Sequence, residues 1–153
     1  MNLSPDGNIL AIGNSGAHPP GYVRVFSLEV GDDDVDTGSW KQIGQDIIGE
    51  ANGDEFGYSG TLSDNGKTLA VSAISNDGNN GVDSGHVRVY QRKDADSESG
   101  WMQLGQDIDG EAAGDWSGYS VSLSADGNTV ATGSPSNDDN GDLSGHVRVF
   151  VLG

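Results

Sequence analysis

Residues 40–59 read WKQIGQDIIGEANGDEFGYS, and residues 101–120 read WMQLGQDIDGEAAGDWSGYS. Trp40 and Trp101 stand 61 positions apart, and the correspondence continues beyond the quoted stretch. Leu62-Ser63-Asp64-Asn65-Gly66 returns at the same spacing as Leu123-Ser124-Ala125-Asp126-Gly127. Ser84-Gly85-His86-Val87-Arg88-Val89-Tyr90 returns 60 positions later, from Ser144 to Phe150. Leu3-Ser4-Pro5-Asp6-Gly7-Asn8 and Gly21-Tyr22-Val23-Arg24-Val25-Phe26 supply the second half of a further copy. The chain is therefore about two and a half copies of one unit, and such self-similarity signals a repeat architecture.

Each unit carries four strand signals. Gly118 to Ser124 alternates polar and apolar residues, the period of a half-buried strand. Asp126-Gly127 predicts a tight hairpin, because glycine tolerates the positive φ such turns need. Thr129 to Gly133 is the second strand, and a long polar loop runs from Ser134 to Ser144. His146 to Phe150 is the third, with its valines on one face and Arg148 on the other. The fourth is expected at Trp40–Gly44 and Trp101–Gly105. Four antiparallel strands per unit predict an all-β chain of β-propeller blades. A parallel β-helix has shorter coils and lacks the Asp-Gly hairpins. Blade one is expected over 1–47 with a truncated first strand, blade two over 56–108, and blade three over 117–153 without its fourth strand. A blade cannot bury both faces alone, and a closed ring needs about four to eight blades. The expectation is either a piece of a longer propeller or self-association of copies.

Gly118-Tyr119-Ser120-Val121-Ser122-Leu123-Ser124, Gly133-Ser134-Pro135 and Gly145-His146-Val147-Arg148-Val149-Phe150 together resemble the FG-GAP repeat of integrin-type propellers. Phe56-Gly57 is similar to the FG element and Gly133-Ser134-Pro135 to the GAP element. Leu3-Ser4-Pro5-Asp6-Gly7-Asn8-Ile9-Leu10-Ala11 also resembles the strand-turn-strand of WD40 blades. The resemblance implies a propeller and favours an extracellular or cell-surface setting. It does not fix a function, because propellers host many. Integrin-type repeats place a Ca²⁺ loop between the first two strands. Here that link is only Asp64-Asn65-Gly66 or Ala125-Asp126-Gly127, too few oxygens for the six to eight ligands Ca²⁺ prefers, and the site does not carry over.

Acidic residues number 24 against 7 basic, a formal charge of −17, a field that repels nucleic acid and anionic membrane surfaces. There are no cysteines, so disulfides and thiolate metal sites are excluded. No apolar run reaches the ~20 residues of a membrane span, so no membrane insertion is expected, and Met1-Asn2-Leu3-Ser4 opens no signal peptide.

Two acidic loop sets are candidate sites. The loop between strands two and three offers Asp77, Asn79 and Asp83 in one unit and Asp138, Asp139, Asn140 and Asp142 in the next, oxygens that suit a hard cation such as Ca²⁺. The same residues are also good turn formers. The loop entering strand one offers Asp54 and Glu55, then Asp115 and Trp116, for a protein or glycan ligand. An up-and-down blade brings both loop sets to one rim. Trp116 could stack on a sugar or be a buried inter-blade aromatic. Arg24, Arg88 and Arg148 recur at one position, where pairing with Asp46 or Asp107 is expected. His86 and His146 read as strand residues, and Trp40 and Trp101 as covers of the outer strand. No nucleophile elbow, phosphate-cradling loop or His-Glu-x-x-His occurs, so a binding or adhesion module is expected rather than an enzyme. The alternatives are a scaffold or surface-coat repeat without a discrete ligand and, third, a glycan-acting enzyme.

Overall fold

A computed structural model describes residues 1–16, 20–31, 38–92 and 100–153. It is all-β, with thirteen strands in chain order among the described residues: β1 (Asn2–Leu3), β2 (Ile9–Asn14), β3 (Tyr22–Glu29), β4 (Ser39–Gln42), β5 (Ile47–Ile48), β6 (Phe56–Leu62), β7 (Thr68–Ala73), β8 (His86–Gln91), β9 (Met102–Gln103), β10 (Ile108–Asp109), β11 (Ser120–Leu123), β12 (Thr129–Ser134) and β13 (His146–Val151). Three antiparallel sheets result. The first runs β1-β2-β3-β4 with β5 also on β3, the second runs β6-β7-β8 with β9 and β10 on β8, and the third runs β11-β12-β13. None closes into a barrel. They are the blades of an incomplete propeller. Among the described residues no helix is long and apolar enough to cross a membrane.

The fourth strand differs from the expected one. It is split in two, at Gly44-Gln45-Asp46 in blade one and Gly105-Gln106-Asp107 in blade two, and both halves pair with the third strand. The ladder is bridged at the break by the amides of Ile43 and Leu104, which donate to the carbonyls of Val25 and Val89 at 2.8 and 2.7 Å. The outer edge therefore extends to Ile48 and Asp109.

Alternation along each strand divides its side chains between two faces. Leu62, Leu69, Val71 and Tyr90 of blade two pack on Ala11, Val23 and Val25 of blade one in one buried cluster. On the opposite face, Ala70, Val87 and Val89 meet Val130, Val121 and Phe150 of blade three. Blade two is covered on both sides, and every residue of β7 is buried. Burying one such Val or Leu side chain is worth about 1.5–3 kcal/mol, so these two interfaces dominate the stability. Trp101 belongs to the first cluster, 5% exposed, with its indole N–H donating to the carbonyl of Ile43 at 3.3 Å. Trp40 holds the same place in blade one, where no described residue stands ahead of it, and is 43% exposed. The expected covering role is thus met differently by the two tryptophans.

The hairpins between strands one and two form as their Asp-Gly and Asn-Gly signals predict. In blade three the Asp126 carboxylate accepts the Ser124 hydroxyl at 2.6 Å and the Asn128 amide at 3.0 Å, and Asp6 repeats this in blade one. Gly7 and Gly127 both have φ +76°, but only Gly127 is crowded: a Cβ there would lie 2.5 Å from Oγ1 of Thr68 in blade two. Gly7→Ala should therefore cost the left-handed backbone term alone, about 1–2 kcal/mol. Gly127→Ala should cost visibly more, because it also pushes blade three off blade two. Urea denaturation of the two variants checks this, and equal losses would remove the inter-blade contact.

Candidate functional site

The strand-one entry loops and the strand-two-to-three loops meet on one rim, held there by a buried lock that repeats. The Asn76 side-chain amide donates to Asp54 at 2.8 Å, and that of Asn137 donates to Asp115 at 3.0 Å. Asp115 also accepts the backbone amides of Glu111 at 3.2 Å and Ala112 at 3.0 Å. Asp54 and Asp115 are 8% and 2% exposed. A buried carboxylate must be hydrogen-bonded, and these two are, so they brace the rim from inside. Neighbouring blades are tied there as well. The amides of Gly114, Trp116 and Ser117 donate to the carbonyls of Val82, Asp83 and Ser84 at 2.9, 3.2 and 3.0 Å.

The residue after each lock points outward. Glu55 is half-buried, whereas Trp116 is 42% exposed and is not an inter-blade core aromatic. Both have left-handed backbones, φ 58° and 53°. The other non-glycine residues with positive φ among those described are Asp83, at 53°, and Leu143, at 50°. All four lie on this rim, in repeat-related pairs. A non-glycine residue held there costs about 1–3 kcal/mol and persists only when its surroundings over-determine it.

The remaining loop candidates serve their own turns. One Asp77 oxygen accepts the amide of Asp83 at 3.0 Å, and one Asp138 oxygen accepts that of Leu143 at 2.6 Å. Asn79 reaches the carboxylate of Asp109 at 3.2 Å. Asn140 and Asp142 are exposed. Only Asp139 joins a group of facing ligand atoms, with Glu111 and His146, all within 4.8 Å of one another. A second such group is Glu50, His86 and Asp107. Glu50 and Glu111 were not among the expected site residues, although both repeat in register with the histidines.

Arginine holds the second group together. Arg24 forks onto Asp46 at 2.9 and 2.8 Å, and Arg88 onto Asp107 at 2.8 and 2.7 Å, as the repeated Arg and Asp positions imply. Arg88 also lies 2.5 Å from Glu50. Arg148 donates instead to the carbonyl of Asp109 and lies 3.9 Å from Glu111. Hydrogen bonds from Arg88 hold the Asp107 carboxyl below the usual aspartate range, and burial, then the Arg88 charge, push the His86 imidazole below the usual histidine value.

Both shifts give stability that is present at neutral pH and lost in acid. Unfolded His86 takes up a proton below pH ~6.5 while the folded residue resists it, and unfolded Asp107 does so below pH ~4. The urea midpoint should thus decline in two stages as pH falls. His86→Gln should flatten the first stage and leave the second. An unchanged slope between pH 6.5 and 5 in that variant would contradict the assignment.

No curated protein matches the chain. Residues 108–150 match the family model of the FG-GAP repeat. That stretch begins at β10, takes in the Asp115–Asn137 lock and ends in β13, so the repeat recognised in Gly118–Ser124, Gly133–Pro135 and Gly145–Phe150 is an FG-GAP repeat carried on propeller blades.

Proposed function

We propose that this chain is a non-catalytic binding module that receives a protein or glycan ligand on its acidic loop rim. An FG-GAP repeat suggests a propeller module, often a binding one, and the rim narrows where the ligand would sit. The observation that carries the reading is the repeat-related pair Glu55 and Trp116, held at positive φ above buried Asp–Asn locks. Local backbone strain retained in two copies is a cost with no packing return for an exposed indole, and such strain concentrates at ligand-contacting positions. Val82, 64% exposed, adds a second apolar point on the same rim, close to Trp116 because Trp116 donates its amide to the neighbouring Asp83.

In this reading Trp116 stacks on a sugar face or an apolar side chain. Glu55 supplies charge, and Asp54 and Asp115 position the loops without touching the ligand. The formal charge of −17 favours basic or neutral partners over anionic ones. Absence of catalysis rests on the sequence, which carries none of the nucleophile, phosphate-binding or metalloprotease motifs.

A glycan array and a panel of basic peptides test the proposal together. Trp116→Gly relieves the left-handed strain, so it should raise the unfolding free energy measured in urea by about 1 kcal/mol while lowering affinity for any ligand found at least tenfold. A ligand that binds the Trp116→Gly variant as tightly as the original chain would place binding elsewhere.

A further inference from the structure

Of the chain's four tyrosines, the two that stand exposed are the two that touch each other. Tyr58 and Tyr119 hold one position in successive repeats and are 39% and 47% exposed. Their ring centroids lie 5.4 Å apart, with the planes tilted by 46°. The other two are engaged elsewhere. Tyr90 is buried and meets Phe56 edge-on, and half-buried Tyr22 lies under the Arg24 guanidinium, 4.8 Å from its ring centroid.

The backbone brings the pair together. In blades two and three a tight turn opens the first strand and the tyrosine ends it. Tyr58 donates its amide to the Glu55 carbonyl and Tyr119 donates to that of Trp116, both at 3.1 Å. Gly118, beside Tyr119, packs directly on blade two: a Cβ there would lie 2.5 Å from that of Ser72. At the far end of the same strands the Asp64 amide donates to the Ala125 carbonyl at 2.9 Å. The first strands of the two blades are thus fixed to each other at both ends. The Tyr119 hydroxyl beside it pushes the Tyr58 phenol above the usual tyrosine range, so the two oxygens are neighbours. Tyr58 sits on the blade that is covered on both faces, and its exposure owes nothing to an open blade face.

We propose that Tyr58 and Tyr119 form an oxidative cross-linking site, at which hydrogen peroxide acting through a haem peroxidase joins them as dityrosine and staples blade two to blade three. Each phenol gives up one electron and its proton, and the two phenoxyl radicals couple through a new bond between ring carbons next to the oxygens. The hydrogens on those carbons then pass to the oxygens and restore both phenols. Hydrogen peroxide takes up the two electrons and two protons and leaves as two waters. Neighbouring hydroxyls suit this bond, because coupling joins the carbons that flank them. The chain has no cysteines, so a disulfide cannot supply such a staple. The link closes a loop across 61 positions and restrains the unfolded chain as a disulfide of that span would. It is separate from the ligand proposed for Trp116, and neither depends on the other.

The test treats the intact chain with a haem peroxidase and hydrogen peroxide, followed by mass spectrometry and peptide mapping. A species lighter by two hydrogens should form and keep the gel mobility of a single chain, and mapping should join the segments that carry Tyr58 and Tyr119. Dilution should leave the linked fraction unchanged, because the step lies within one chain. Tyr58→Phe and Tyr119→Phe should each abolish the internal link, whereas Tyr22→Phe should leave it intact. The linked chain should unfold at a higher urea midpoint than the unlinked one. Links formed mainly between chains, a link through Tyr22, Tyr90 or Trp116, no species lighter by two hydrogens, or a linked chain with an unchanged midpoint would each overturn the proposal.

Discussion

A four-stranded blade of this kind has two apolar faces and no means of covering either alone. That constraint shapes the molecule. Blade two meets it fully, with Val71 turned to blade one, Val87 to blade three, and all of β7 buried. Among the described residues, blades one and three are covered on one side each. The same valine positions are therefore core in the middle of the chain and surface on blade three, where Val147 and Val149 stand exposed. Stability in such an array comes from nearest-neighbour interfaces, so it is greatest where a blade has two neighbours.

Packing of faces would leave the connecting loops unspecified, and a second set of interactions places them. The Asp54–Asn76 and Asp115–Asn137 bonds tie the loop entering a blade to the loop over its middle strands. Backbone bonds from Gly114, Trp116 and Ser117 then tie the rim of blade three to that of blade two. The rim is a framework of buried polar contacts in which Glu55 and Trp116 are held in backbone conformations they would not adopt unaided. Of the acidic residues around them, Asp54 and Asp115 are buried in this framework, whereas Glu50, Asp77, Glu111, Asp138, Asp139 and Asp142 are exposed.

The repeat made the blades legible, because alternation, Asp-Gly hairpins and the 60-residue period all point to one architecture. The split in the fourth strand was not legible: Gly44-Gln45-Asp46 reads as an end of pairing, and only β3 shows that Ile47–Ile48 pairs again. The two tryptophans were read alike from identical positions, and they differ because Trp101 has Ile43 of the preceding blade to bond and no described residue offers Trp40 an equivalent. For the site, the Arg–Asp forks followed from residues repeating in register. The locks could have been found the same way, since 22 residues separate Asp54 from Asn76 and Asp115 from Asn137 alike. A loop aspartate suggests exposure by type, and burial of Asp115 depends on Asn137 arriving from a different loop. Backbone strain at Glu55 and Trp116 leaves no trace in residue identity at all.

Native-state hydrogen exchange, read strand by strand, tests the central claim most directly. If face burial by neighbours governs stability, the amides of β7 and β8 exchange only through global unfolding, while those of β12 and β13 exchange at distinctly lower free energy through separate opening of blade three. Equal protection across all three sheets, or greater protection in β13 than in β8, would contradict it.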